Sequence, residues 1–175
     1  FRLGQNGNQA INPQNEALWT EFLNESHTEQ IMNHVAKIKT AFTGAINDHN
    51  DLVEHRGAQV GYSLIGHNEA LEKKRACDPD KKLRQTLLSQ IPFESDDIEV
   101  RIGGTTCFDY FQQGRHKGYN VNRLIEHMGW EKENCIYFGD AIFPGGNDET
   151  VIGIIDTHPV NDHLHTYELL QKYFG

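Results

Sequence analysis

Apolar and polar positions along the chain follow two rhythms, which change near residue 113. Before it, Glu29 to Phe42 places Ile31, Val35, Ile38 and Phe42 at helical spacing, a single stripe for burial. Gln59 to Ile65 alternates in the manner of a half-buried strand. Asp80 to Ile91 predicts a helix with Leu83, Leu87, Leu88 and Ile91 on one side, opened by Asp78-Pro79-Asp80 and stopped by Pro92. Ile98 to Ile102 and Thr105 to Phe111 are apolar runs broken at Gly103-Gly104, which predicts a hairpin. Helices interleaved with such strands predict an open α/β layer with a largely antiparallel sheet over residues 13–112.

From residue 113 onward the spacing predicts a helix over Tyr119 to Met128, ended by Gly129, and a short unbroken strand, Cys135 to Phe138. A second such strand is expected at Val151 to Ile155 and a final amphipathic helix at Asn161 to Phe174. Helix, buried strand, loop, strand, helix is the order of a parallel sheet covered on both faces. Ligands of such sheets sit at the C-terminal ends of the strands. The first of these strands runs directly into Gly139-Asp140.

Composition narrows the class. With 175 residues the chain suits one ordinary domain or two small ones. Apolar residues at 37% and charged residues at 23%, without a low-complexity run, point to a folded protein. A net charge of -9 argues against nucleic-acid or anionic-membrane surfaces, which need clustered Lys and Arg, yet it leaves room for a small phosphorylated ligand. No apolar stretch approaches membrane-spanning length, and the first ten residues lack a signal-peptide core. Cys77, Cys107 and Cys135 are too widely spaced for a disulfide framework or a zinc knuckle, so a cytoplasmic setting is expected. Asn24-Glu25-Ser26 matches a glycosylation acceptor, read here as chance. Among the histidines, His158, His163 and His165 invite a metal reading, but His163 and His165 are two apart on an expected helix and cannot share a face.

Three charged residues stand where chemistry is to be expected. Asp140 emerges from a buried strand after a glycine that permits close approach of a ligand, although a lone Gly-Asp is more often a loop cap. Asp148 follows the stiff Pro144-Gly145-Gly146-Asn147 loop, where it either caps a turn or, with Asp140, supports a hard, oxygen-liganded cation such as Mg²⁺. Lys117, in Gly114-Arg115-His116-Lys117-Gly118 ahead of the helix, is either a solvated surface charge or a cation that balances a phosphate beside an acidic nucleophile. Cys107 has no visible His-Asp partnership and is read as a buried or substrate-facing thiol.

Taken together, Lys117, the strand ending in Gly139-Asp140, and Phe143-Pro144-Gly145-Gly146-Asn147-Asp148 resemble the third and fourth motifs of haloacid dehalogenase phosphatases. Over residues 98–150 the string from IGGTTCFDYF to PGGNDET resembles the eukaryotic-type phosphomannomutases and their bacterial relatives, and more weakly so over residues 54–75. The resemblance implies a Rossmann-like core with an inserted α/β cap: residues 1–12 the end of the N-terminal core part, 13–112 the cap, 113–175 the C-terminal core part. It implies a Mg²⁺-dependent transfer through a phosphorylated Asp, with Asp140 a metal ligand, Asp148 a carboxylate supporting the metal and Lys117 the balancing lysine. On the cap it implies that Arg56 binds the phosphate of a sugar phosphate and Asp109 the sugar hydroxyls. A homodimer through the cap is the expected assembly.

The departures from the family pattern carry weight. Asp-x-Asp-x-Thr, the nucleophile motif, is absent, and Phe1 to Gly7 resembles the segment just before a cap, so a truncated chain is expected. A second phosphate-binding arginine is replaced by His67, a third falls at Lys74 or Arg75, and a serine is replaced by Cys107. Exchange of Arg for a neutral His removes a bidentate phosphate clamp, which a mutase needs for its bisphosphate intermediate and a phosphatase does not. The expectation therefore leans from mutase toward sugar phosphatase. A catalytically inactive sugar-phosphate-binding or interaction module is the alternative.

Overall fold

In the computed structural model the first element is one that the apolar pattern does not announce. Strands β1 (Arg2–Gly4), β2 (Gln9–Ile11) and β3 (Ala17–Thr20) form a small antiparallel sheet in the order β1-β2-β3. Each is too short to display a period. Between β1 and β2 the chain turns through Gln5–Gly7 with positive φ at all three residues. Gly7 is obligatory there, because a Cβ would overlap the Asn120 side chain. Trp19 ties this sheet to the later helix α4 (Lys117–Met128): its Nε1 donates to the Gly7 carbonyl at 2.8 Å, and the Arg123 guanidinium lies over its ring at 4.3 Å.

Helix α1 (Glu25–Ala41) starts four residues before the expected Glu29 because Asn24 caps it. The Asn24 side chain accepts the His27 N–H at 2.8 Å, and His27 Nδ1 accepts the Asn24 N–H in return. The expected stripe is buried at Ile31, Val35 and Ile38, together with His34. His34 is satisfied on both nitrogens, at 2.8 Å from the Tyr110 hydroxyl and 2.8 Å from the Ile91 carbonyl.

The antiparallel layer consists of β4 (Val53–His55), β5 (Val60–Ser63), helices α2 (Leu71–Cys77) and α3 (Lys82–Gln90), then β6 (Ile98–Gly103) and β7 (Cys107–Gln112). Its strand order is β4-β5-β7-β6. The expected hairpin is the β6–β7 pair, with Gly103 opposite Cys107. The expected half-buried strand is instead buried on both faces: Val60 and Tyr62 enter the apolar core while His67 lies against Gly61 on the other side. Helix α2 buries no residue and so leaves no apolar stripe in the sequence. Ile31, Val35, Ile38, Leu64, Leu87, Ile98 and Phe108 belong to one continuous core between α1, α3 and the sheet.

After residue 113 the chain builds α4, capped by the His116 side chain and ended by Gly129 in the left-handed conformation. β8 (Ile136–Gly139) and β9 (Asp156–Pro159) pair in parallel, and α5 (His163–Phe174) closes the fold. The strand expected at Val151 to Ile155 is not one. Val151 ends a single 3₁₀ turn, Gly153 turns the chain at φ +82°, and the Ile154 N–H bonds back to the Val151 carbonyl. The apolar run is broken by its own central glycine, and the more polar Asp156–Pro159 pairs with β8 instead. The sheet is not covered on both faces either: β8 is only half-buried apart from Gly139, and α5 buries nothing.

The two parts meet at β6. The Ile102 N–H donates to the Gly145 carbonyl at 2.9 Å and the Asn147 N–H to the Ile102 carbonyl at 3.0 Å. Gly146 fits because it has no Cβ to strike the Ala141 carbonyl. This seam carries the loop before Asp148 to the tip of the antiparallel hairpin.

Candidate active site

Asp148 is the hub of the site. It is 1% exposed, and both of its oxygens are taken. Oδ1 accepts from Lys117 Nζ and from the Tyr137 hydroxyl at 2.7 Å, while Oδ2 accepts the Ala141 N–H at 2.9 Å. Three elements converge here: α4 brings Lys117 at its first residue, β8 brings Tyr137, and the loop after β8 brings Ala141. Two glycines permit the approach. Gly139 leaves room for the Asp148 carboxylate, and Gly118 lets α4 lie against the Thr150 carbonyl.

Lys117 Nζ also donates to Asn147 Oδ1 at 3.2 Å. Asn147 in turn donates through Nδ2 to Asp109 Oδ2 at 3.2 Å. Asp109 thus joins the loop before Asp148 to the β6–β7 hairpin, and it accepts a second bond from Asn6 Nδ2 at 3.3 Å. Asn6 further donates to Gln59 Oε1 at 2.8 Å. Burial pushes the Asp109 carboxyl above its ordinary range, against the opposing pull of the Asn6 and Asn147 N–H groups and of the Lys117 and Arg56 charges. Burial, reinforced by the Asp148 charge, likewise drives the Tyr137 hydroxyl upward, so it stays a neutral donor. The Cys107 thiol is raised by burial and by Asp109, which makes it a poor thiolate.

These groups line one cleft of about 470 Å³, into which Arg56, Cys107, Asp109, Lys117, Tyr137 and Asn147 face. Arg56 is ion-paired with Glu54, which raises the guanidinium and lowers the Glu54 carboxyl. Four of the residues singled out from sequence are therefore brought together: Arg56, Cys107, Asp109 and Lys117, with Asp148 directly behind. His67 and Lys74 do not line this cleft. His67 Nε2 sits on the Gly61 carbonyl at 3.2 Å, its Nδ1 is 3.6 Å from Glu54, and Lys74 Nζ donates to the His67 carbonyl. Asp140 is exposed, without a hydrogen bond, and lines a neighbouring polar cleft of about 320 Å³ with Arg75, Lys81, Thr105 and Asn161; Gly104 borders both clefts.

No group of three or more His, Cys, Asp or Glu gathers in a way that could hold a metal. Asp148 is committed to Lys117, Tyr137 and Ala141, whereas Asp140 is free. That fits one ligand position for Mg²⁺, which keeps several waters and takes only one or two carboxylates beside substrate phosphate.

Sequence reasoning passed over Tyr137, Asn147 and Asn6. Tyr137 stands two residues before Gly139 in a strand, so period two places both on the face that meets Asp148. Asn147 lay in plain view inside the Pro-Gly-Gly-Asn-Asp loop. Asn6, at φ 57°, carried no comparable signal.

The carboxylate loop after β8, the lysine that opens the preceding helix α4 and the antiparallel β6–β7 hairpin beside both form an arrangement whose fold is that of haloacid dehalogenase-like structures. Solved structures share the fold: a haloacid dehalogenase-like hydrolase from B. subtilis superposes with a TM-score of 0.55 at 11% identity, over 97% of this chain and 78% of that one. IMP-bound IMP-nucleotidase of Plasmodium falciparum gives 0.54 at 15% identity, over 94% and 45% of the two chains. The family model for eukaryotic phosphomannomutase matches residues 4–169, and the chain belongs to that family. Among curated relatives, phosphomannomutase 1 of Dictyostelium discoideum is 31% identical over 163 residues, covering 88% of this chain and 64% of its own length. Phosphomannomutase 2 of the same organism is 31% identical over 130 residues, covering 70% and 51%. The chain thus spans between half and two thirds of those two relatives.

Proposed function

We propose that this chain supplies the sugar-phosphate-binding cap, the balancing lysine and one metal carboxylate of a Mg²⁺-dependent phosphotransferase that acts on hexose phosphates through an aspartyl phosphate. The observation that carries this reading is the single cleft in which Arg56, Cys107 and Asp109 of the cap meet Lys117 of the core. In it, Asp148 and Asn147 hold the Lys117 ammonium so that it faces a phosphate without reorganisation. Asp109 and Asn147 offer an acceptor and a donor for sugar hydroxyls, and Arg56 offers a forked cation for a phosphate once it turns from Glu54. Asp140 is the residue that would hold Mg²⁺, whose chemistry there is neutralising and orienting the phosphoryl group. Because β3 continues the β1–β2 sheet and docks on α4, the cap in this reading begins beyond Thr20.

Within this function, a phosphatase is favoured over a mutase. His67 is spent on a backbone carbonyl, and Lys74 is tied to His67, so Arg56 is the cap's cation in the cleft. A mutase must retain a bisphosphate by both ends.

The test is titration of mannose 1-phosphate and mannose 6-phosphate into the 175-residue chain, with and without Mg²⁺, beside a phosphate-release assay. Binding is expected to weaken by roughly tenfold or more in Arg56→Ala and in Lys117→Ala, as for a lost charge-assisted contact. No release is expected, since Asp-x-Asp-x-Thr is absent. The only Asp-x-Asp, Asp78-Pro79-Asp80, has its first carboxylate buried against Arg84. Failure of every hexose phosphate to bind would overturn the substrate class. Magnesium-dependent release by this chain would overturn the reading that its nucleophile motif is missing.

A further inference from the structure

Behind the hairpin that carries Cys107 and Asp109 lies a charged residue that the cleft itself does not use. Arg84, on α3, is 0% exposed and is the largest fully buried side chain. Its Nε donates to Asp78 Oδ2 at 2.6 Å. Its Nη1 serves three carbonyls, Gly103 at 2.8 Å, Gly104 at 3.1 Å and Cys107 at 3.1 Å, in the turn between β6 and β7 and at the strand ends that flank it. Asp78, 4% exposed, is anchored in turn by the backbone N–H groups of Leu83 and Arg84 at the start of α3. The result is a strut running from a helix terminus through a carboxylate and a guanidinium to one tight turn.

A buried ion pair of this kind is a poor source of stability, because an apolar pair of equal volume fills the same space without the desolvation penalty. What it supplies is directionality. The turn it holds has no apolar side chain to fix it: Gly103 lacks a Cβ so that the Asp109 carboxylate can lean across it, and Gly104 stands at φ +50° with open space around it. Thr106 is secured separately, by Ser63 and by the Leu64 N–H, so loss of Arg84 frees part of the turn without opening the sheet.

We propose that Arg84 is a positioning residue for sugar recognition: it fixes the Gly103–Cys107 backbone from behind, and thereby the places of Cys107 and Asp109 in the cleft. The assignment rests on the reading of that cleft as a hexose-phosphate site. A lysine keeps the charge but, as a point donor, does not reproduce the fork that reaches a carboxylate and three carbonyls at once.

The experiment compares wild type, Arg84→Lys and Asp78→Asn by affinity for mannose 6-phosphate and for inorganic phosphate, with amide exchange across residues 98–112 read in parallel. In Arg84→Lys the sugar phosphate is expected to weaken by about tenfold and inorganic phosphate to stay within about twofold, because Arg56 and Lys117 are untouched. Exchange should quicken at residues 103–107 while β5 stays protected. Asp78→Asn, which leaves the guanidinium in place but loosens its anchor, should move the same way by less and guards against a failure of Arg84→Lys to fold. Equal weakening of both ligands, or unchanged exchange at the turn, overturns the role of Arg84. A wild type that binds inorganic phosphate but no hexose phosphate instead overturns the reading of the cleft, and the proposal with it.

Discussion

The antiparallel layer and the segment from Lys117 to Phe174 hold their candidate site residues by different means. In the layer, Val60, Tyr62, Leu64, Phe108 and Tyr110 are all 0% exposed and pack on α1 and α3. After residue 113 the buried residues are few, and one is the carboxylate Asp148, fastened by bonds from Lys117, Tyr137 and Ala141. Helix α5 leaves Leu164, Tyr167 and Phe174 more than 60% exposed. Apolar packing builds the platform that carries Asp109, whereas polar convergence shapes the loop that carries Asp148. The first is broad and tolerant of single losses on its surface; the second depends on a few groups that have no substitutes.

The largest expected effect follows directly. Asp148→Ala strands the Lys117 charge and leaves the Tyr137 hydroxyl and Ala141 N–H without their acceptor, a loss of about 3–5 kcal/mol by analogy with broken buried pairs. Urea unfolding should show it, with exchange protection lost first in β8 and α4 while the β5–β7 pairing persists. Leu64→Ala in the layer, a cavity worth about 2–5 kcal/mol, should do the reverse. If both variants melt the two regions together, the distinction between them fails. A smaller effect is expected from Gly118→Ala, where the added methyl strikes the Thr150 carbonyl and forces α4 from the loop at about 1–3 kcal/mol. The drop should appear together with weaker hexose-phosphate binding, since Lys117 moves with the helix.

How much of this was legible beforehand follows the same division. Where burial made the pattern, as at Ile31, Val35 and Ile38 or along the β6–β7 hairpin, the elements could be read within a few residues. Arg84 was legible too, since 84, 87, 88 and 91 share one helical face, but its charge disguised its place in the buried stripe. Helix α2 and the β1–β3 sheet bury too little for a period to form. The run Val151 to Ile155 misled because apolar character says nothing of the turn that Gly153 imposes. At the candidate site, chain position singled out Lys117, Asp140 and Asp148. That Asp148 turns inward to Lys117 while Asp140 faces out to a second cleft depends on which atoms meet across the fold, and spacing carries no record of that.

Asp109 offers a gentler probe of the seam between the regions. Burial raises its carboxyl above the ordinary value of 3.8, so the folded state holds the proton more tightly than the unfolded one. Wild-type stability should therefore fall as pH rises from that ordinary value through the raised one, and level off above it. Asp109→Asn keeps an acceptor oxygen for Asn6 and Asn147 but does not titrate. Its stability relative to wild type should grow across the same window in urea titrations. A difference that shrinks with rising pH would mean that the charges of Lys117 and Arg56 outweigh burial, and that the seam is electrostatic rather than dry.

The smallest effect is expected at the far end, where Asp162 caps α5. Its side chain accepts the His165 N–H at 3.0 Å, and the Asn161 N–H donates to His165 Nδ1 in return. The His165 N–H lowers the Asp162 carboxyl most, with further pull from the Leu164 N–H and from the charges of His163 and of Arg75 on α2. A depressed carboxylate stabilises the helix above its ordinary value of 3.8, and that contribution fades as pH falls through the lower folded value. Asp162→Asn caps equally well but has no charge to lose, so its α5 amides should exchange at a rate independent of pH in this window, after correction for intrinsic exchange. His165 is common to both proteins, so the difference between them reports Asp162. Because α5 buries no residue, this fraying should stay local and leave β5–β7 protected. Should the antiparallel layer lose protection at the same pH as α5, the two regions would be one cooperative unit, and Arg75 on α2, whose charge acts on Asp162, would be the first charge to remove in explaining why.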